Sequence, residues 1–149
     1  MKNFEIVAKR QLAENVHEYE IYAPLVVKHC LAGQFIILRT DDEGERVPFT
    51  ICDYSRENGT VRILVQEIGY TTVKLSQMNV GDALANFVGP LGNPTDLKEF
   101  KRVCLVGGGI GSAVIYPQAK QLHSEGKFVD VIVGARNKSL LMYTDEFER

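Results

Sequence analysis

Arg102-Val103-Cys104-Leu105-Val106-Gly107-Gly108-Gly109-Ile110-Gly111-Ser112-Ala113 sets an apolar run against four glycines and the start of a helix. The apolar run reads as a buried strand. The pattern beyond the glycines predicts a helix over 110–124, with Gly126 well placed as its stop. A second nearly continuous apolar run, 128–134, follows. Together they make a β-α-β unit, and strands of this composition suit a parallel sheet covered on both faces. Without side chains, the backbone at 107–111 can turn sharply and approach a pyrophosphate. The free N–H groups of the helix's first turn, aided by the helix dipole, would then face the anion. Gly107, Gly108, Gly109, Ile110 and Gly111 are therefore candidate nucleotide-binding residues. The third small position of the dinucleotide fingerprint is met only loosely, by Ser112 or Ala113. A glycine run between strand and helix also serves tight packing alone.

Beyond the second strand no acidic residue stands where a 2′-hydroxyl ligand is expected; Gly134-Ala135-Arg136-Asn137-Lys138 follows instead. Arg136 and Lys138 either meet an adenosine 2′-phosphate, favouring NADP(H), or are solvated loop cations. Tyr116-Pro117 predicts a kink in the helix, and Thr144 is a candidate N-cap for a further helix. Doubly wound folds use about 5–6 strands, so the expectation is a piece of a longer protein.

On the N-terminal side the periodicity changes. Segments 4–8 and 16–22 alternate apolar and polar residues, the pattern of half-buried strands. Strands are also expected at 33–39 and 83–88. Segments 47–52 and 59–67 are expected to form a pair joined by the polar loop 54–58. A short helix over 71–78 ends at Asn79 and Gly81. About six strands with close turns predict a closed or nearly closed antiparallel Greek-key barrel, because closure removes exposed edges. Gly89-Pro90-Leu91-Gly92-Asn93-Pro94 breaks regular structure. This divides the chain into an all-β barrel over 1–92 and the first β-α-β unit of a doubly wound α/β dinucleotide-binding domain over 93–149.

Bulk properties narrow the classes. A formal charge of −2 gives no reason to expect nucleic acid or an anionic membrane surface as partner. The longest apolar runs, such as 34–38 and 103–106, are far short of the ~20 residues of a membrane span. Segment 1–12 lacks the apolar block of a signal peptide, so a cytoplasmic location is the default expectation. Cys30, Cys52 and Cys104 form no CxxC pair, so no zinc or iron–sulfur site is read from them, and Cys104 is expected in the core. His17, His29 and His123 show no triad or metal spacing.

Two stretches of the barrel carry chemistry. Arg46-Val47-Pro48-Phe49-Thr50-Ile51 joins a cation, a rigid proline, an aromatic and a hydroxyl. The guanidinium suits a phosphate, the aromatic offers a face to a ring, and the hydroxyl can bond a ring heteroatom. Glu67-Ile68-Gly69-Tyr70-Thr71-Thr72 places glycine and threonines before a short helix, a second candidate anion site. Either stretch alone also reads as ordinary strand or turn.

In order and spacing, these motifs resemble the ferredoxin–NADP⁺ reductase superfamily. Within it the likeness is nearest to electron-transfer subunits of dihydroorotate dehydrogenase and to small subunits of NADH-dependent ferredoxin–NADP⁺ oxidoreductase. The resemblance is carried by 32–35, Val47-Pro48-Phe49-Thr50-Ile51, Gly69-Tyr70-Thr71-Thr72, Gly89-Pro90-Leu91-Gly92, the glycine run and Val133-Gly134-Ala135-Arg136. It implies an FAD on the barrel, with Pro48, Phe49 and Thr50 along the flavin and Gly69, Thr71 and Thr72 at the pyrophosphate. It also implies NAD(P)H at the glycine run and hydride transfer to the flavin, with no side chain acting as general acid or base. A catalytic partner subunit and a ferredoxin or other iron–sulfur acceptor complete the picture, as does a [2Fe–2S] cluster in the parent protein only. A flavin reductase of a small acceptor and a non-catalytic nucleotide-binding module are the alternatives. One departure stands out. The superfamily's arginine lies three positions before the hydroxyl residue; here Val47 holds that place and Arg46 lies four before Thr50, so its reach depends on register.

Overall fold

The computed structural model describes residues 1–149. Seven strands build the first unit: β1 (Ile6–Ala13), β2 (Val16–Tyr22), β3 (Phe35–Arg39), β4 (Val47–Thr50), β5 (Asp53–Ser55), β6 (Thr60–Gln66) and β7 (Asn86–Leu91). Two short helices, α1 (Pro24–Val27) and α2 (Tyr70–Ser76), lie between them. The strands form antiparallel sheets of order β1-β2-β6-β5 and β4-β3-β7. Both seams between the sheets are stitched by backbone. On one side the chain leaves β4 and bends: the Ile51 N–H donates to the Gln34 carbonyl at 3.1 Å, and the next N–H, of Cys52, donates to the Arg62 carbonyl at 2.9 Å. On the other side Glu5 bridges Ala83, and Ile6 N–H donates to the Asp82 carbonyl at 2.8 Å. Each pair of neighbouring edges is thereby tied by backbone hydrogen bonds, the gain that closure brings.

The expected pairing of 47–52 with 59–67 is corrected. β4 pairs with β3, and only β5 pairs with β6. The bend at Ile51–Cys52 moves the chain from one sheet to the other, so one apparent strand serves two. Segment 4–8 begins as a strand only at Ile6, because Phe4 has a positive φ of 62°. The last barrel strand lies later than 83–88 and runs through Gly89 to Leu91. Gly89 is needed there, since a Cβ would fall 2.6 Å from Ile36 Cγ2. α1 was not foreseen; four residues are too few to show a helical period.

Inward-facing positions make the core, including Tyr19, Ile21, Ile36, Leu38, Ile51, Val61, Ile63 and Val65. α2 caps the barrel with Leu75, which is fully buried and contributes about 1.5–3 kcal/mol of apolar burial. Tyr19 spans the core and its hydroxyl donates to the Leu75 carbonyl at 2.8 Å. That bond satisfies an otherwise costly buried phenol.

The second unit holds parallel strands β8 (Arg102–Gly108) and β9 (Phe128–Gly134), joined by α3 (Gly111–Ser124). Gly126, at φ +74°, takes the left-handed position that ends α3. Val103, Leu105 and Gly107 face α3, and the alternate residues face away. Cys104 is thus exposed, not core, because α3 covers one face of this sheet and Cys104 lies on the other. Val106, Phe128 and Ile132 share that outer face and are more than half exposed. α4 (Thr144–Glu148) completes the chain. Its N-cap is Tyr143 in the left-handed conformation, so Thr144 is the first helical residue and not the cap. No helix is long and apolar enough to cross a membrane.

Candidate functional site

The four glycines of the turn do different things. At Gly107 a Cβ would meet Ser112 Cα at 2.8 Å and Gly111 O at 3.0 Å, so only hydrogen lets α3 close on β8. Ser112, at the loosely matched third position, is 1% exposed and continues that close packing. Gly109 has φ +55°, a conformation that favours glycine, and its N–H donates to the Gly134 carbonyl at 2.8 Å. Gly108 and Gly111 have nothing within 4 Å of an added Cβ. Neither packing nor a positive φ requires glycine there, and the open space lies at the start of α3, where the Ser112 and Ala113 N–H groups donate to the Gly109 and Ile110 carbonyls at 3.1 Å. Arg136 is exposed two residues beyond Gly134, at the same sheet edge.

On the barrel, register assigns each residue of the β4 motif to a face. Val47 lies opposite Leu38 and Phe49 opposite Ile36, both buried, whereas Pro48 lies opposite Ile37 and Thr50 opposite Phe35. Directly opposed residues share a face. Val47 and Phe49 therefore point to the core, where Phe49 packs partly buried, while Pro48 and Thr50 point outward. Arg46 is exposed, and its guanidinium donates to Asn86 Oδ1 at 3.4 Å. By strand alternation it shares the outer side with Pro48 and Thr50.

The Gly69 loop is self-satisfied. The Thr72 hydroxyl accepts from the N–H groups of Ile68 and Gly69 and donates to the Gly69 carbonyl, each at 2.9 Å. Thr72 therefore holds the turn, and nothing fills the space beside Gly69. Thr71 is buried at the start of α2. Lys74 of α2 pairs with Asp41, which sets this helix beside the β3–β4 turn.

A second apolar cluster joins the two units. Val16, Cys52 and Leu64 of the barrel share it with Ala113, Met142 and Tyr143, and Ile110 packs against it. Ile110 thus anchors the first turn of α3, and Cys52 brings the end of β4 to the same cluster. Burial pushes the Cys52 thiol up to about 12, leaving it an inert packing group.

Polar contacts around this cluster have no local sequence signal. Tyr143, 3% exposed, donates its hydroxyl to Glu18 Oε2 at 2.5 Å. Arg10 lies 3.2 Å from Glu18 and 2.7 Å from Glu146, and Lys120 lies 2.8 Å from Asp53. Burial, reinforced by Cys52 and by the Glu18 carboxylate, pushes the Tyr143 hydroxyl upward, so it stays a donor.

A closed antiparallel barrel with an outward Pro-x-Thr strand, joined to a glycine-turned β-α-β unit, is the architecture of the flavin-binding barrel class. The chain belongs to the ferredoxin–NADP⁺ reductase superfamily. It is 42% identical over 144 residues to the dihydroorotate dehydrogenase B (NAD(+)) electron transfer subunit homolog of Thermotoga maritima, covering 97% of this chain and 51% of that one. A solved structure of NADH-dependent reduced ferredoxin-NADP oxidoreductase, studied for flavin-based electron bifurcation, superposes with a TM-score of 0.93. The identity is 41%, over 99% of this chain and 53% of that one. Phthalate dioxygenase reductase, at 24% identity and TM-score 0.79 over 97% of this chain and 47% of that one, shares the fold. No protein-family model matches. The chain spans about half the length of the curated relatives it matches.

Proposed function

We propose that the chain is the flavin-binding part of an electron-transfer subunit, taking FAD on the barrel and a nicotinamide dinucleotide at the glycine turn. The observation that carries this reading is the shared cluster of Cys52, Ala113 and Ile110, which sets the end of β4 beside the first turn of α3. Bound flavin would supply hydride acceptance and onward electron transfer; the protein contributes position and exclusion of water. Thr50 presents its hydroxyl toward the flavin edge, Pro48 lies along the ring, and Phe49 stiffens the strand from behind. Gly108 and Gly111 leave room for a pyrophosphate. The names of the relatives carry NAD(+), NADH and NADP, so the donor is either nicotinamide dinucleotide, with Arg136 exposed at the same sheet edge. The parent protein would pass electrons to an iron–sulfur partner within a hetero-oligomer. Cys30 lies between α1 and β3, Cys52 at the bend between β4 and β5, and Cys104 on β8, so a cluster needs ligands other than these. The test is flavin retention: the purified chain, mixed with FAD and desalted, is expected to keep flavin absorption bands. Complete loss of those bands would sink the proposal.

A further inference from the structure

The second unit is held against the barrel at the linker after β7 and at the outer face of the β1-β2-β6-β5 sheet. At the linker, Gln34 Nε2 donates to the Gly92 carbonyl at 3.0 Å, Thr95 N–H to the Ala32 carbonyl at 2.9 Å, and Lys127 Nζ to the Leu97 carbonyl at 2.7 Å. A body pinned at one place can still turn about it, so the contact at the sheet fixes the tilt of α3.

Tyr143 is at the centre of that contact. Its ring meets the Tyr116 ring of α3 edge-on at 5.2 Å, and Tyr116 in turn meets Phe147 of α4 at 5.5 Å. Ala113 and Ile110, at the start of α3, share its apolar cluster. Its backbone is left-handed at φ 64°, which a bulky residue rarely adopts, so the packing around it holds it there. The hydroxyl crosses to the barrel and donates to Glu18, a buried carboxylate that Arg10 and Arg62 flank at 3.2 and 3.8 Å. The ion pairs Arg10–Glu146 and Lys120–Asp53 also cross this face, through cations that are 51% and 54% exposed. Exposed pairs of long side chains constrain little, whereas a hydroxyl–carboxylate bond out of water is short and directional.

We propose that Tyr143 is the positioning residue that sets the glycine turn against the barrel, and with it the distance between a nicotinamide ring at α3 and a flavin on β4. The anchor follows from the geometry alone; its consequence for the cofactors rests on the reading under the proposed function. Reacting atoms must stand about 3–3.5 Å apart, and a misplacement of about 1 Å slows a transfer on the order of 100-fold. One hydroxyl that stops the second unit from turning therefore bears on the reaction without touching either cofactor.

The experiment compares the 149-residue chain with Y143F, which removes one oxygen and keeps the ring, and with E18Q, which keeps an acceptor for the hydroxyl. The first readout is amide hydrogen exchange by mass spectrometry without ligand. Y143F is expected to exchange about tenfold faster over 109–116 and 140–148, the loss of one charged hydrogen bond, while β3 and β7 keep their rates. E18Q is expected to exchange as the wild type does. The second readout is energy transfer from bound FAD to a maleimide dye on Cys104, the one exposed thiol. Y143F is expected to broaden the flavin–dye distance distribution while FAD affinity stays within about twofold. Exchange in Y143F that is unchanged, or faster in both units alike, overturns the anchor. So does an E18Q variant that loosens the second unit while Y143F leaves it fixed, since the arginines would then be its hold. Faster exchange with an unaltered distance distribution overturns the consequence for cofactor spacing. A wild-type chain that takes up no FAD overturns the flavin reading, and hydrogen exchange still decides the anchor.

Discussion

Gly107→Ala and Gly108→Ala differ by one position and are expected to act in opposite ways. A Cβ at 107 would sit 2.8 Å from Ser112 Cα, 3.0 Å from Gly111 O and 3.0 Å from Ile115 Cδ1. The first two are atoms of α3's backbone, which must retreat by about half an ångström to reach ordinary contact. Ala113 and Ile110 tie that turn to the second core, so the shift also disturbs the contact with Cys52. Overpacking of this kind costs about 1–3 kcal/mol, a fall in Tm of roughly 3–10 °C for a chain of this size. At 108 a Cβ meets nothing within 4 Å, so the fold should change by no more than about 0.5 kcal/mol. That methyl group does enter the space proposed for the pyrophosphate, so NADH affinity should fall. Differential scanning calorimetry and NADH titration of both variants give the two readouts. A stable Gly107→Ala, or a Gly108→Ala that melts early, would refute the division of the glycines into packing and ligand roles.

Two further outcomes follow from the same geometry. Burial pushes the Cys30 and Cys52 thiols up to about 11 and about 12, whereas Cys104 is exposed. A thiol reagent at pH 8 should therefore label Cys104 rapidly and the other two only on unfolding; peptide mapping that finds Cys52 labelled first would contradict this. At Glu146 burial opposes the charge, but the hydrogen bond and charge of Arg10 outweigh it and hold the carboxyl below the ordinary range. A depressed folded pKa stabilises the fold above the unfolded value of about 4.3, and this stability is lost as pH falls through the folded value. Arg10→Ala should lower stability at pH 7 by about 0.5–1 kcal/mol, modest because Arg10 is half exposed. The difference should shrink near pH 3, and urea midpoints that differ equally at both pH values would show that Glu146 is not the partner responsible.

The sequence by itself determined the class of each half. Period-two alternation marks strands, and a glycine turn between an apolar run and a helical pattern marks a β-α-β unit. Both are local signals, written within about ten residues. Helix α3, strand β9 and the Gly126 stop were legible for that reason. Strand partners were not, because alternation fixes which side of a strand is apolar but not which strand lies beside it. β4 could be read without showing that it pairs with β3, or that the chain changes sheets at Ile51–Cys52. The burial of Cys104 was misread because composition records that a residue is apolar, not whether an element covers it. The glycines of 107–111 were identical in sequence, and only the approach of α3 separated Gly107 from Gly108. Contacts that join distant segments had no sequence signal at all. Tyr143 meets Glu18 across 125 positions, and Lys120 meets Asp53 across 67. Such neighbours are chosen by closure of the barrel and docking of α3, where packing and charge over the whole fold decide what local preference leaves open.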